Sequence, residues 1–488
     1  MNPQKHYGVT EPISMELPLE KEKELSEELD KCLLESGFFE DDETAIQREK
    51  VLGKLDMLVK QFVAQVCSDI GLEKSGGGKI FTFGSYRLGV HAKGADIDAL
   101  CVVPKQVTRK HFFNDFYALL NSQNGVKNLL KIEDAFVPLI KFEFFSISID
   151  LTFASLQVNV INEDINLLDN IILKGMDDKC ILSVNGNRVT DEILNLVPSP
   201  TVFHKALRCI KYWAQRKKVY GHTYGYFGGV AYALSVAKVC QLFPNGNCFT
   251  IVSKFFKMLS KFKWPNPIII KKIEQNDLGF RVWDPSTNLA DKFHRMPVIT
   301  PAYPSMCSTH NVFSSTQYWL TREFNKAYKV VNDALENNNH NWKEELFAPS
   351  DFFIVHKSFL TLLVLSDENE NYDKLIGYVE SRIRLLCAKL EEIESITYAI
   401  PFPKCFNIFD EGNSKLKDKF GFNAYKKGSA FFIALDFTGV KMMLHNKKVI
   451  IGPLIDEFIK TLVEAQGNIF IKAYTKNEIN DLIRNSRK

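Results

Sequence analysis

The sequence predicts an α+β protein of several domains, and three observations carry that prediction. The chain has 488 residues, too many for one ordinary core at roughly 100 to 200 residues per domain, which points to about three. Hydrophobic patterning changes twice: helical then strand-like before Pro198, helical from there to about Asn339, and mixed again from Asp351. Composition is that of a globular protein, 45% apolar, 24% charged and 12% aromatic, with apolar mass for several cores.

From Leu19 to Ile70 the pattern is helical, with Leu52, Leu55, Leu58, Val59, Phe62 and Val63 on one face. The run Gly76 to Gly78 stops it, and short strands are expected at Ile80 to Phe83, Asp96 to Val103, Ile140 to Phe145 and Ser146 to Leu151. Val197-Pro198-Ser199-Pro200 marks a boundary, after which Leu207, Ile210, Trp213 and Ala214 recur at helical spacing. Past Asp351 the pattern gives a strand from Phe352 to Leu365, a helix from Tyr372 to Ile393, and strands at Ile396 to Pro401 and Phe431 to Phe437. A helix from Leu454 to Gln466 and a strand from Ile469 to Tyr474 complete it. Strands interleaved with two helices suggest a ferredoxin- or RRM-like unit.

The ten cysteines show no Cys-x-x-Cys pair, which disfavours zinc ribbons and disulfide frameworks. Met1 to Asp30 is rich in Glu and Lys without the apolar core of a secretory leader. The most apolar helical stretch, near Gly228 to Phe243, contains Lys238 and reads as a buried helix; no membrane association is expected. A net charge of +3 does not by itself select a nucleic-acid partner.

Chemistry is concentrated in two segments. Phe83-Gly84-Ser85 follows a short apolar strand and is suited to a turn that offers backbone N–H groups and a hydroxyl to a phosphate. Asp96 and Asp98, two apart at the start of an apolar strand, share a face. In Phe145 to Leu151, alternation puts Phe145, Ile147, Ile149 and Leu151 on one face and Ser146, Ser148 and Asp150 on the other. Should the two strands be neighbours, three mutually repelling carboxylates form an oxygen-rich site suited to Mg²⁺ and to two-metal phosphoryl transfer. A P-loop at Gly76-Gly77-Gly78-Lys79 fails, because Ile80 stands where a metal-binding Ser or Thr is required.

Gly-Ser, Asp-x-Asp and a later strand Asp resemble the pattern of the DNA polymerase β-like nucleotidyltransferases. Longer strings narrow the resemblance: Lys79 to Val103 (KIFTFGSYRLGVHAKGADIDALCVV), Phe136-Val137-Pro138, Val189 to Leu194 and Arg295 to Met306 (RMPVITPAYPSM) are similar to the nuclear poly(A) polymerases of eukaryotes. The resemblance implies an N-terminal segment (1–18) packing with the middle domain, a nucleotidyltransferase domain (19–198), a helical middle domain (199–348) and an RRM-like RNA-binding domain (349–488). It implies AMP addition from ATP to RNA 3′ ends with release of pyrophosphate, using two Mg²⁺ or Mn²⁺ ions held by Asp96, Asp98 and Asp150. ATP contacts then fall on Phe83, Gly84, Ser85, the three carboxylates, Lys211, Tyr220, Gly229 and Val230. A monomeric nuclear enzyme working with cleavage and polyadenylation factors is implied as well. Two departures bear on the nucleotide pocket: His222 stands where many relatives carry Asn, and Ala92 where some carry Thr.

The C-terminal lysines Lys415, Lys417 and Lys419 before Phe420, then Tyr425-Lys426-Lys427 and Lys447-Lys448, are suited to tracking RNA phosphates while exposed aromatics stack on bases. Rival readings are a uridylyl- or CCA-adding transferase, which differs only in a few pocket contacts, and an RNA-binding scaffold without catalysis.

Overall fold

The computed structural model describes residues 7–72, 76–337, 340–367, 372–409, 425–437, 451–462 and 468–485. Two helices open the chain, α1 (Glu20–Glu35) and α2 (Asp42–Asp69), where the sequence pattern ran as one helical stretch. Asp41 starts α2 by accepting the Thr44 N–H at 2.8 Å. There follow β1 (Lys79–Phe83), the single turn α3 (Gly84–Arg87), β2 (Ile97–Pro104), β3 (Val126–Ile132), β4 (Leu139–Phe144), β5 (Ile147–Leu156) and α4 (Asp178–Leu196). The strands form one sheet in the order β1-β2-β5-β4-β3. Only β2 and β5 run parallel. Leu55, Val59 and Val63 of α2 and Ile181 and Val184 of α4 share a buried core with Ala99, Val102, Ile149 and Leu151 of the central strands.

The middle of the chain is helical: α5 (Pro200–Lys217), α6 (Gly229–Leu242), α7 (Cys248–Lys261) and α8 (Ser314–Glu336). Ser199 caps α5 ahead of Pro200, and the helix ends at Lys218 in the left-handed region. Trp213, fully buried, stacks on Phe324 at 5.6 Å and meets Phe256 edge-on at 4.8 Å. The chain's beginning lies on this unit: Ile13 N–H donates to Leu242 O at 2.8 Å, and Gln241 Nε2 donates to Tyr7 O at 2.9 Å. Helix α1 buries Leu25, Leu29 and Leu33 in the same core, against the middle unit.

The last unit contains β6 (Ser358–Ser366), α9 (Tyr372–Glu391), β7 (Tyr398–Pro401), β8 (Phe406–Phe409), β9 (Lys427–Asp436), α10 (Gly452–Lys460), β10 (Asn468–Thr475) and α11 (Lys476–Asn485). Its sheet runs β10-β6-β9-β7, with β8 also pairing with β9. The apolar run from Phe352 is a short helix, Phe352–Val355, before the strand begins at Ser358. Residues 359–365 of β6 and 428–435 of β9 are buried, so the sheet is covered on both faces at its centre, while the edge strand β10 is largely exposed. The core is continuous with that of the middle unit, and the two are joined by Tyr226 Oη donating to Pro401 O at 2.8 Å and by Ser315 N–H donating to Glu391 Oε1 at 2.5 Å.

Candidate active site

Register brings the predicted carboxylates together. Phe83 pairs with Asp98 across β1 and β2, Asp98 with Asp150 across β2 and β5, and Asp150 with Lys141 across β5 and β4. Paired residues point to the same face, so the four side chains form one row across the sheet, with Asp96 just before β2. Both β2 and β5 are otherwise almost wholly buried. Burial first, then repulsion from Asp150 and Asp96, pushes the Asp98 carboxyl up to about 6, with Lys211 and Lys141 opposing. Lys141 Nζ donates to Asp96 Oδ2 at 3.0 Å and lies 2.9 Å from Asp150 Oδ1. The second contact is an ion pair with a buried oxygen of Asp150, so one ammonium is shared between two carboxylates.

The Gly84-Ser85 turn is built against this row. Gly84 has φ +63° and a Cβ there would lie 2.3 Å from Asp98 Oδ2, so only glycine fits both the conformation and the space. Helix α4, capped by Asp177 accepting the Cys180 N–H at 2.9 Å, holds the turn from behind. Thr190 Oγ1 accepts the Gly84 N–H at 3.2 Å and donates to Gly186 O at 2.8 Å, while Asn187 Nδ2 donates to Thr82 O at 3.0 Å. The Gly84 N–H, offered to a phosphate in the sequence reading, is therefore engaged by Thr190.

Asp96 is delivered by the loop 88–95, gripped from two sides. Arg48, 1% exposed, forms a two-pronged pair with Glu40 at 2.8 and 2.9 Å and donates to Ala95 O at 2.7 Å. His91 Nε2 lies 3.3 Å from the same Glu40 carboxylate. From the middle unit, Arg208 Nε donates to Gly89 O at 2.9 Å and Lys211 Nζ to Val90 O at 3.2 Å. Ala92 is in this loop and accepts the Ala95 N–H at 3.1 Å, closing its turn.

Lys211 and Tyr220 face Asp98 from the middle unit. Burial lowers the Lys211 ammonium to about 8 against the favourable charge of Asp98, and raises the Tyr220 phenol, with Asp98 adding to that rise. Tyr220 stacks on buried Tyr232 with centroids 5.9 Å apart, and a Cβ on Gly229 would lie 2.8 Å from its hydroxyl. Val230, in the first turn of α6, is 38% exposed. His222 packs on His310 at 4.9 Å, and the Asn311 amide donates to its carbonyl at 3.1 Å. Burial first, then His310 and Arg384, lowers its imidazole to about 4, so it is neutral at pH 7.

Sequence reasoning missed Lys141, Thr190, Asn187, Arg48 and Arg208. Lys141 carried a usable signal: Ile140 to Phe145 alternates, placing Lys141 on a polar strand face by the same logic that found Asp150. Among the described residues, no three Asp, Glu, His or Cys side chains are gathered into a finished ion-binding cluster. Lys141 lies between two of the candidates. The donor chemistry nonetheless fits a hard divalent ion: three oxygen-donor carboxylates in mutual repulsion at one end of the sheet, with a single lysine charge between two of them.

The C-terminal lysine groups at 415–420 and 447–448 lie outside the described residues. In the C-terminal sheet the central-strand aromatics Phe359, Phe431 and Phe432 are at most 1% exposed and belong to the core, whereas Phe470 on the edge strand β10 is 38% exposed. No helix among the described residues is long and apolar enough to cross a membrane.

Strands, turn and carboxylates in this order place the chain among the nucleotidyltransferases of the DNA polymerase β-like class. Three family models match in succession: the poly(A) polymerase nucleotidyltransferase domain over residues 8–197, the poly(A) polymerase central domain over 202–349, and the poly(A) polymerase predicted RNA binding domain over 351–419. Poly(A) polymerase PAPa of Candida albicans is 46% identical over 405 residues, covering 82% of this chain and 73% of that protein, and poly(A) polymerase pla1 of Schizosaccharomyces pombe is 44% identical over 407 residues, covering 83% and 72%. The chain belongs to the poly(A) polymerase family. It adds AMP from ATP to RNA 3′ ends without a template, and it uses a divalent metal. Crystal structures of the Cid1 poly(U) polymerase cover 67% of this chain and 99% of their own at a TM-score of 0.46 and 15% identity, a likeness too distant to carry an argument.

Proposed function

We propose that Asp96, Asp98 and Asp150 are the catalytic carboxylates and hold two Mg²⁺ or Mn²⁺ ions. The observation that carries this is the register Phe83, Asp98, Asp150 across three strands. The bound ions supply activation of the RNA 3′ hydroxyl and neutralisation of the triphosphate. The residues do the rest. Asp150, on the polar face of β5, orients the attacking end and accepts its proton. Ser85 meets a phosphate from the turn that Thr190 fixes. Lys211, depressed toward neutrality while it is desolvated, is a strong partner for an incoming polyanion, because added negative charge favours its ammonium form. Gly229 and Val230 contact the nucleotide from the first turn of α6, with Tyr220 beside Gly229 and Phe83 at the end of the carboxylate row.

The same reading divides the chain into residues 1–18, 19–198, 199–348 and 349–488, and makes it a monomeric nuclear enzyme that works with cleavage and polyadenylation factors. The decisive test is Asp150→Ala on an oligo(A) primer. AMP addition should fall by at least about 10³-fold, roughly 4 kcal/mol of transition-state stabilisation, with the melting temperature preserved. Extension near the wild-type rate would remove Asp150 from the mechanism. Competition among the four nucleotides should give robust AMP addition; UMP or CMP in its place would overturn the assigned base pocket.

A further inference from the structure

The carboxylate row ends in a cation that the reaction scheme above does not use. Lys141 stands opposite Asp150 in the sheet, and its ammonium reaches both Asp96 at 3.0 Å and Asp150 at 2.9 Å. We propose that Lys141 is a resident counter-cation, which a divalent ion entering between Asp96 and Asp150 must displace, so that Lys141 sets the metal affinity of the site. This rests on the assignment of those carboxylates as metal-holding.

Three features support the exchange. First, the position is dictated by strand pairing: a lysine paired with Asp150 on a shared face has its stem directed along the row. Second, the ammonium neutralises the site incompletely. It is shared between Asp96 at 3.0 Å and Asp150 at 2.9 Å, and its single charge faces three mutually repelling carboxylates. An ion with two charges and several oxygen positions satisfies both carboxylates better than one ammonium does. Third, the lysine is free to leave: its side chain is 41% exposed, and its flexible four-carbon stem allows the head to swing outward without moving β4. One positive charge therefore offsets repulsion in the row and yields to a stronger cation.

A lysine whose charge is screened away from the metal position has little effect on metal binding. A counter-cation competes with the metal, and its removal tightens metal binding. Mn²⁺ alone is the probe, titrated into the full-length protein without ATP or RNA and followed by electron paramagnetic resonance. Lys141→Met, which keeps the stem and loses the charge, should bind Mn²⁺ about tenfold more tightly, as expected for one like charge removed from a half-exposed site. It should also melt earlier than wild type without metal and recover at saturating Mn²⁺. Lys141→Arg, whose planar fork engages carboxylates more firmly, should bind Mn²⁺ more weakly than wild type and does not depend on the neutral variant folding. Unchanged or weaker Mn²⁺ binding in folded Lys141→Met, or unchanged binding in Lys141→Arg, overturns the exchange. Asp150→Ala separates the two claims. If it weakens Mn²⁺ binding while the Lys141 variants do not alter it as described, the carboxylate assignment stands and the counter-cation falls. If Asp150→Ala binds Mn²⁺ like wild type, both fall.

Discussion

Two five-stranded sheets in this molecule are built from much the same material and serve different ends. Each has a pair of buried central strands, β2 and β5 in the first unit, β6 and β9 in the last. In the last, ionisable side chains occur only at the strand ends, as Lys427 and Asp436, and everything between is apolar, small or hydroxylic. In the first, two carboxylates sit side by side within paired strands, at Asp98 and Asp150. Like charges held this close are a cost that no packing argument explains. A covered sheet turns all its burial into stability, whereas the catalytic sheet gives up part of it at one end and offsets the loss with Lys141 and with the anchors behind Gly84. The contrast marks a candidate site without reference to any relative: it is where a sheet tolerates charge that a core does not need.

The sharpest way to break the comparison is a pair of truncations with opposite expected signatures. Asp150→Ala should nearly abolish AMP addition and leave melting intact. Phe432→Ala removes a ring that is 1% exposed and packed on Phe353 at 5.4 Å and Phe406 at 5.3 Å, and should cost about 3–5 kcal/mol of stability. Its AMP addition per folded molecule at 20 °C should match wild type. A Phe432→Ala enzyme that stays folded but loses activity would mean that the C-terminal sheet takes part in the chemistry, and the division drawn here would fail.

Arg48 tests the anchoring of the catalytic sheet itself. Its pair with Glu40 is buried on both sides, with side-chain exposures of 2% and 4%, and one guanidinium nitrogen also holds the carbonyl just before Asp96. Arg48→Met strands a buried carboxylate, and breaking such a pair from one side should cost about 3 kcal/mol, visible as a lower urea midpoint. A loss well under 1 kcal/mol would show that His91, 3.3 Å from Glu40, suffices as its partner.

What the sequence made legible follows the reach of its signals. Period-2 alternation placed Asp150 on a polar face and found Asp96 and Asp98, and glycine at a strand end found the turn. Alternation says nothing about which strands are neighbours, so the Lys141–Asp150 pairing and the reach of Arg48 to Ala95, 47 positions away, appeared only in three dimensions. Strand β3 was overlooked because it is an exposed edge strand with a register shift near Asn128, where φ is +51°, and β8 because it has only four residues. The run from Phe352 was read as one strand because a continuous apolar run does not distinguish a helical turn from a buried strand. His222 was noticed in the sequence, but its neutrality depends on burial and on His310, 88 positions away in the chain, beside it.

The smallest effect is read on two titrating groups outside both sheets, one in the middle unit and one at its junction with the last. His222, beside the start of α6, and His356, packed on Trp319 at 5.0 Å and Phe352 at 4.9 Å, are both lowered from the usual 6.5 to about 4, in each case chiefly by burial. A folded imidazole below its unfolded value takes up its proton on unfolding throughout the window between the two. The stability it contributes is therefore full above about pH 6.5 and is lost as pH falls toward about 4, with a slope near 1.4 kcal/mol per pH unit for one full proton as an upper bound. Thermal melts between pH 7 and pH 4.5 should show this acid loss. His356→Phe, which keeps a ring in an aromatic nest, should make it shallower by up to one proton. His222→Asn should do the same by a smaller margin, because His222 is less completely enclosed than His356. Should the two variants follow the wild-type acid curve, neither imidazole is held neutral by the fold.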